Sequence, residues 1–216
     1  MNIILFGPPG AGKGTQADNL VKDFNLIKIS TGDLLREEIS RKTTLGLEIK
    51  SKIDKGDLAS DNIINNLIEK ILLNQDFYNK LIFDGYPRNL NQAKDLDVLC
   101  KKNNQKISCV LSLNVNQDII VKRILGRRTC SKCGLIFNTY FNPSTSTNHT
   151  CGSDFLKSRE DDKEDIIVKR FKTYTRETLP ILNHYKEQNL LYEIEGKGDI
   201  SAVYEKIRKI MLSLAT

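Results

Sequence analysis

The chain has 216 residues, of which 39% are hydrophobic and 28% charged, a balance typical of an ordinary globular protein. This length suits one α/β domain with insertions, or one large and one small domain. The net charge of +6 fits nucleic acid, anionic membranes or small anionic ligands, but acidic and basic residues interleave along most of the chain, so charge discriminates weakly among these partners.

The sequence contains no secretory leader pattern and no apolar run long enough to cross a membrane. We therefore expect a cytoplasmic protein without a membrane partner. Because thiols stay reduced in the cytoplasm, the five cysteines should serve thiol or metal chemistry rather than disulfides.

Short apolar runs along the chain predict the strands of a buried sheet. These runs span residues 3–6, 26–30, 81–84, 109–115 and 190–195. The first four lack strict alternation, as expected for strands covered on both faces. Helix-like segments separate the runs, near residues 13–24, 61–73, 89–103, 117–125, 163–188 and 199–214. This alternation predicts an α/β fold with a five-stranded parallel sheet flanked by helices.

Two stretches interrupt the alternation of strands and helices. Residues 31–59 hold a second helical region where a simple crossover needs only one helix. Residues 126–162 are rich in Cys, Gly, Ser, Thr and Asn, and they predict a small insert with short strands.

The turn GPPGAGKGT follows the first predicted strand and leads into a predicted helix. Glycines let several backbone N–H groups converge on one point, and the positive helix N-terminus adds to this cradle for phosphate. The spacing Gly7-x4-Gly12-Lys13 matches the phosphate-binding loop, whose lysine binds the β- and γ-phosphates of a nucleotide. The strict motif has Ser or Thr directly after the lysine; here Gly14 takes that position and Thr15 follows. The alternative, an ordinary glycine turn before a helix, explains the lysine less well.

The segment FDGYPRN at residues 83–89 follows the third predicted strand. Asp84 should emerge at the carboxyl edge of the sheet, where ligands of open α/β sheets collect. A carboxylate there can hold the hydration shell of a metal bound to phosphates, and Arg88 can bind a phosphate with its guanidinium fork.

Together these motifs make the sequence similar to the adenylate kinases, within the nucleoside monophosphate kinases. The motifs that carry the resemblance are GPPGAGKGTQA (7–17), ISTGDLLR (29–36), FDGYPRN (83–89), RILGRR (123–128) and REDD (159–162). The family also has Gly-Thr where the strict motif has Ser or Thr. The resemblance implies a P-loop NTPase fold of the bacterial long-lid form and Mg²⁺-dependent transfer of the terminal phosphoryl of ATP to AMP, which gives two ADP.

The resemblance also implies three parts of the chain. A core would comprise residues 1–29, 60–125 and 163–216, with an AMP-binding insert at 30–59 and a lid at 126–162. The family pattern places the AMP contacts at Thr31, Arg36, Asp57, Leu58, Ala59, Gly85, Tyr86, Pro87, Arg88, Gln92, Arg159 and Arg170. Thr31 also reads as a helix N-cap, and both interpretations can hold.

For ATP, the resemblance implies contacts at Gly10, Ala11, Gly12, Lys13, Gly14, Thr15, Arg127, Ile136, Phe137 and Gly198. Lys13, Asp84, Arg88, Arg123, Arg159 and Arg170 are the implied catalytic residues. Fixed guanidinium groups stabilise the charge that moves among oxygens during phosphoryl transfer. Asp161 and Asp162 match lid carboxylates that order these arginines.

Three cysteines of the insert form the pattern Cys-x2-Cys-x17-Cys-x2-Asp, which is close to zinc-site spacing. The predicted ligands of a structural Zn²⁺ are Cys130, Cys133, Cys151 and Asp154. The lids of some bacterial adenylate kinases look similar, with three cysteines and one aspartate. His149 is a competing fourth ligand, and metal-free loop cysteines are the alternative to a zinc site.

Two rival functions remain open at this point. Another monophosphate kinase would use UMP, CMP or GMP, although Thr31 with Gln92 resembles the AMP pattern. A zinc-ribbon protein that binds nucleic acid would fit the basic charge and the cysteines, but it leaves Lys13, Asp84 and Arg88 unexplained. We expect ATP, AMP and ADP as partners, no nucleic acid, and a monomer.

Overall fold

The computed structural model of the protein describes residues 1–55 and 57–215. Gly56, in the predicted AMP-binding insert, and Thr216, in the predicted core, lie outside the described residues. Within these two ranges, no helix combines the length and the apolar character that crossing a bilayer requires.

Strands and helices alternate along most of the described chain. The strands are β1 (Asn2–Phe6), β2 (Ile27–Ser30), β3 (Leu81–Asp84), β4 (Ile107–Asn114), β5 (Arg127–Cys130), β6 (Ile136–Asn138), β7 (Leu156–Lys157) and β8 (Leu191–Glu195). The α-helices are α1 (Lys13–Phe24), α2 (Thr31–Ser40), α3 (Thr44–Ile53), α4 (Asp61–Leu72), α5 (Leu90–Lys102), α6 (Gln117–Leu125), α7 (Glu164–Thr173), α8 (Ile181–Glu187) and α9 (Ile200–Ala215).

The predicted five-stranded parallel sheet is confirmed, with the strand order β2-β3-β1-β4-β8. The central strand β1 is buried on both faces. Ile4 and Phe6 join the apolar cluster that receives side chains of α4, α5 and α8. Ile3 and Leu5 join the opposite cluster, which receives side chains of α1 and α9. Burial of both faces explains why the sequence of this strand shows no polar alternation.

One predicted helix is wrong as a continuous element. The helix expected over residues 163–188 is divided into α7 and α8 by a π-helical turn, Tyr174–Thr178. Pro180 follows this turn and lacks the N–H that an uninterrupted α-helix needs at that position. The sequence predicts helical structure on both sides of this turn, but not the turn itself.

The two stretches that interrupt the alternation have their own local structure. In residues 31–59, α2 and α3 pack so closely that only glycine fits at position 46. A Cβ there would lie only 2.5 Å from the carbonyl oxygen of Glu38. Ser30, not Thr31, caps α2: its hydroxyl accepts a 3.3 Å hydrogen bond from the amide of Asp33. In the second, β5 lies between β6 and β7 in a small antiparallel sheet.

Candidate active site

The glycine-rich turn joins β1 to α1 and folds as a loop around the side chain of Lys13. Gly10 and Gly12 have φ angles of 79° and 95°, a left-handed conformation that side chains disfavour. The Nζ of Lys13 donates hydrogen bonds to the carbonyls of Gly7 at 2.7 Å and Pro8 at 3.0 Å. The loop therefore places its cation at the N-terminus of α1, where the helix dipole also favours an anion.

Lys13 and Asp84 lie close enough for their charges to act on one another. Burial lowers the pKa of Lys13 to about 8, and the charge of Asp84 partly opposes that effect. Burial likewise raises the pKa of Asp84, with Lys13 opposing. A Cβ on Gly14 would lie 3.5 Å from Oδ2 of Asp84, so the carboxylate faces the start of α1. This edge of the sheet thus carries one cation and one carboxylate side by side.

A cavity of about 690 Å³ opens beside this pair, lined by residues of the sheet edge and of both interrupting stretches. Most of the nucleotide-binding and catalytic residues predicted from the sequence border it: Gly10, Ala11, Gly12, Lys13, Gly14, Thr15, Arg36, Asp57, Leu58, Ala59, Asp84, Gly85, Pro87, Arg88, Arg123, Arg127, Ile136, Phe137, Arg159, Arg170 and Gly198. Residues far apart in the chain are therefore brought to one cavity.

Thr31, Tyr86 and Gln92 are not among the residues that line the cavity. They are buried, each at most 3% exposed. The hydroxyl of Thr31 donates to the carbonyl of Gly85 at 2.8 Å. A role in binding AMP stays a prediction for these three residues.

Asp61 makes polar contacts to predicted site residues and their neighbours that the sequence did not reveal. Its Oδ1 accepts hydrogen bonds from Nε2 of Gln92 at 2.6 Å and from Nδ2 of Asn89 at 2.9 Å. Both amide side chains are thereby held in one orientation. No local pattern marks Asp61, which reads as a favourable acidic residue at the start of a helix.

Arg88 is anchored at its backbone and along its side chain. Its amide donates to Oε1 of Gln92 at 2.8 Å, and its Nε donates to the carbonyl of Gly85 at 2.7 Å. Burial, and then the nearby charge of Arg170, lower the pKa of Arg88 to about 10. The guanidinium is still charged at neutral pH, so two mutually repelling cations face the same space.

Two carboxylates pair with arginines at the cavity. Nε of Arg127 donates to Oδ2 of Asp162 at 2.9 Å, and a second hydrogen bond makes the contact bidentate. Nη1 of Arg170 donates to Oδ2 of Asp161 at 2.7 Å. These carboxylates hold the guanidinium groups in place without contacting the loop at Lys13.

Arg159 adds another cation to this group. Burial, and then the charge of Arg127, lower its pKa to about 10. Arg36 and Asp33 also act on Arg159, so the end of the second stretch approaches the helices of the first. The cavity is thus rich in positive charge and suited to a polyanion.

Arg123 has a different environment from the other arginines. It donates to the carbonyls of Ala11 at 3.2 Å and Gly196 at 3.1 Å. Its guanidinium also lies 5.6 Å from the ring centre of Phe141, within the range of a cation–π contact. A role close to the phosphates stays a prediction for this residue.

Three of the four predicted metal ligands lie together in residues 126–162, and His149 lies with them in place of Asp154. The sulfurs of Cys130, Cys133 and Cys151 and a ring nitrogen of His149 all lie within 4.8 Å of one another. Asp154 does not join this group; it is exposed in a short 3₁₀ turn after Gly152. In this arrangement His149, the alternative that the sequence left open, lies with the three thiols, and Asp154 as the fourth ligand stays a prediction.

The imidazole of His149 is oriented by two neighbours. Nδ1 lies 3.0 Å from Oγ of Ser144, and the ring lies 4.8 Å from that of Phe137, centre to centre. Among the described residues, the buried Nε2 has no hydrogen-bond partner. An unpaired buried nitrogen beside three thiols is what a tetrahedral zinc site requires.

A glycine-rich loop with its lysine, a carboxylate at the end of the neighbouring strand and several arginines around one cavity define a phosphotransferase of the P-loop class. The sequence matches the family described as Adenylate kinase over residues 5–190. The chain belongs to the adenylate kinase family.

Relatives named Adenylate kinase match nearly the whole chain. The protein of Pelagibacter ubique is 47% identical over 211 residues, which cover 98% of this chain and 99% of the relative. The protein of Enterococcus faecalis is 40% identical, with 98% of this chain and 99% of the relative covered. That of Methanocella arvoryzae is 41% identical over the full length of both.

Proposed function

We propose that the protein transfers the terminal phosphoryl group of ATP to AMP and releases two molecules of ADP. One observation supports this proposal above the others: Lys13, Asp84, Arg88 and Arg170 act electrostatically on one another at a single cavity. An oxygen of the AMP phosphate attacks the terminal phosphorus of ATP. The bond from that phosphorus to the bridging oxygen breaks, and its electron pair leaves with the β-phosphate of ADP.

The AMP phosphate is already ionised, so the reaction needs no protein nucleophile or general base. We assign catalysis to positioning and to stabilisation of the charge that shifts among the phosphate oxygens. Lys13 would bind the β- and γ-phosphates in exchange for its present contacts to Gly7 and Pro8. Arg88 and Arg170 would hold the phosphate of AMP and the transferred group.

Magnesium is proposed to accompany ATP at the end of β3. The partly buried carboxylate of Asp84, which faces the start of α1, fits a cation bound through water. When bound, Mg²⁺ neutralises part of the charge on the phosphate chain. Thr15 borders the same cavity and is the nearest counterpart of the hydroxyl in the strict motif.

We propose that residues 30–59 form the AMP-binding insert and residues 126–162 a mobile lid over ATP. Two exposed ion pairs connect the insert to its surroundings, one to Glu160 of the lid and one to Lys169 of α7. Lys50 is 3.1 Å from Glu160, and Lys169 is 3.0 Å from Asp57. Exposed pairs contribute little free energy, so such contacts permit repeated opening and closing. Closure would exclude water, which otherwise accepts the phosphoryl group.

The lid is proposed to hold a structural Zn²⁺ through Cys130, Cys133, Cys151 and Nε2 of His149. A proton on Nδ1 of His149, donated to Ser144, would leave the lone pair of Nε2 for the metal. Four protein ligands leave no open position, so the ion would supply stability and no chemistry.

We also propose a cytoplasmic monomer. The five cysteines are free thiols in the structure, which fits a reducing compartment. The monomeric state rests on the resemblance to the family, and sedimentation velocity would test it.

A direct assay tests the proposed reaction. The purified protein is incubated with ATP, Mg²⁺ and one of AMP, UMP, CMP or GMP, and nucleoside diphosphates are quantified. We expect two ADP for each AMP consumed, no reaction without Mg²⁺ and much slower reaction with the other acceptors. Preference for another monophosphate, or ATP consumption independent of any acceptor, would contradict the proposal.

A further inference from the structure

The turn between α7 and α8 is wider than an α-helix. Within Tyr174–Thr178, the backbone is π-helical, and the amide of Leu179 donates to the carbonyl of Tyr174, five residues back, at 2.9 Å. Pro180 follows directly, and its ring and missing N–H disfavour a regular α-helical turn. Single π-helical turns occur frequently at functional sites, because the extra residue redirects the side chains around it.

This turn directs the hydroxyl of Thr178 onto the backbone of Arg88. Oγ1 of Thr178 donates a 2.7 Å hydrogen bond to the carbonyl oxygen of Arg88, across 90 residues of sequence. Thr178 is only 7% exposed. A partly buried carbonyl that lost this donor would be left without its partner, so the contact restrains the segment.

With this bond, Arg88 is held at three points. Thr178 binds its carbonyl, Gln92 accepts from its amide at 2.8 Å, and Gly85 accepts from its Nε at 2.7 Å. The amide side chain of Gln92 is in turn held by Asp61 at 2.6 Å. The direction of the guanidinium is therefore set by protein contacts before any ligand arrives.

Arg170 lies on α7, the helix that leads into the π-helical turn. Its charge is the largest influence on the pKa of Arg88 after burial itself. Two guanidinium groups repel each other, so their separation must be imposed by the scaffold. The Thr178 contact joins the helical segment that carries Arg170 directly to the backbone of Arg88.

We propose that Thr178 is a positioning residue for phosphoryl transfer. The π-helical turn sets its hydroxyl on the carbonyl of Arg88, and this contact holds Arg88 and Arg170 at the spacing that the transferred group requires. The inference rests on the proposed function of these two arginines. Thr178 acts through Arg88 and is not itself assigned a contact with substrate.

Substitutions of Thr178 test the inference. Thr178→Val and Thr178→Ala remove the hydroxyl, whereas Thr178→Ser keeps it. We expect kcat for ATP and AMP to fall about tenfold or more in the first two variants, because small displacements of positioning groups have large effects on rate. The KM for ATP should stay within about twofold of wild type. The serine variant should retain nearly normal kcat.

Thr175→Val is the matched control. Thr175 lies in the same π-helical turn, but it is exposed and its hydroxyl donates to the carbonyl of Phe171 at 3.1 Å, on its own helix. This variant should keep wild-type kcat and KM. Circular dichroism and melting temperatures establish whether each variant is folded. If the valine variant does not fold, the alanine variant decides the outcome.

The inference would be overturned by wild-type kcat in the folded alanine variant, by a lack of rescue with serine, or by an equal loss in the Thr175 control. A raised KM for AMP with unchanged kcat would also overturn it, because Thr178 borders the cavity and would then be a direct binding residue. The wild-type protein tests the proposed function separately, because that function fails if wild type forms no ADP. The inference about Thr178 is tested by the rates of the variants relative to wild type.

Discussion

Nζ of Lys13 lies 2.7 Å from the carbonyl oxygen of Gly7, so the cation of the phosphate-binding loop is bonded to its own loop. A phosphate chain that enters the cavity therefore has to replace protein carbonyls as the acceptors of this ammonium group. The exchange favours the phosphate because a charged acceptor binds an ammonium group more strongly than a neutral carbonyl does.

Lys13→Met should abolish most of the activity while leaving the protein folded. The substitution removes the ammonium group that would bind the β- and γ-phosphates, and we expect kcat to fall by at least about a hundredfold. ADP formation from ATP and AMP, with circular dichroism as the control of folding, measures the effect. Turnover near that of wild type would contradict the assignment of Lys13.

Nucleotide binding should weaken above pH 8. Burial lowers the pKa of Lys13 in the ligand-free protein to about 8, and an anion favours the protonated form. Above this pH, binding must take up a proton, and the Kd for ATP should rise by up to about tenfold per pH unit. Calorimetry at pH 9 in two buffers of different ionisation enthalpy should detect this uptake. Lys13→Arg, which does not titrate in this range, should remove most of the dependence.

The lowered pKa of Lys13 should also make the stability of the nucleotide-free protein depend on pH. The folded pKa of Lys13 is lowered from 10.5 to about 8, so between these values the unfolded chain binds more protons than the folded one. The free energy of unfolding contributed by this residue should therefore rise as the pH increases from about 8 to about 10.5. Denaturant titrations would show it as a rise, over this pH range, in the free energy of unfolding of wild type relative to that of Lys13→Met.

Asp162→Ala should weaken the use of ATP through Arg127. The side chain of Asp162 is only 2% exposed, and its loss would leave the guanidinium of Arg127 without its bidentate partner. We expect kcat/KM for ATP to fall about tenfold. Asp165→Ala, at an exposed position in the first turn of α7, is the control and should behave as wild type. Equal kinetics in the two variants would show that the Arg127 pair does not order the site.

If His149 and not Asp154 is the fourth zinc ligand, substitutions at these two positions should affect zinc binding differently. Metal analysis should find one zinc ion per chain, and a chelator should lower the melting temperature. His149→Ala should weaken zinc binding by about tenfold or more, whereas Asp154→Asn should leave the zinc content unchanged. Zinc lost from the Asp154 variant and kept in the His149 variant would restore the carboxylate as the fourth ligand.

Gly10→Ala should destabilise the protein more than Gly134→Ala. Both glycines have positive φ angles, of 79° and 75°. A Cβ at Gly10 would lie 2.7 Å from Cγ1 of Ile124, whereas a Cβ at Gly134 meets nothing within 4 Å. Backbone strain should reduce the free energy of unfolding by about 1–2 kcal/mol in both variants, and overlap adds about 1–3 kcal/mol at Gly10. Equal losses in denaturant titrations would show that the loop yields to the side chain.

Short-range patterns in the chain were sufficient for the sheet and for the phosphate-binding loop. The apolar runs predict the strands, and in the first four the lack of strict alternation indicates burial of both faces. The glycines and the lysine of the loop lie within nine residues, so their spacing alone places the cation at the start of a helix.

Contacts between distant segments depend on packing, which no local pattern records. The position of His149 among the three thiols follows from the path of the loop that precedes Cys151, and the contacts of Asp61 follow from how α4 meets α5. The π-helical turn that brings Thr178 to Arg88 adds one residue to a helix, and the sequence pattern did not predict this addition. A sequence pattern specifies which side chains are available, whereas a hydrogen bond of 2.7 Å between residues 90 positions apart exists only once the whole chain has packed.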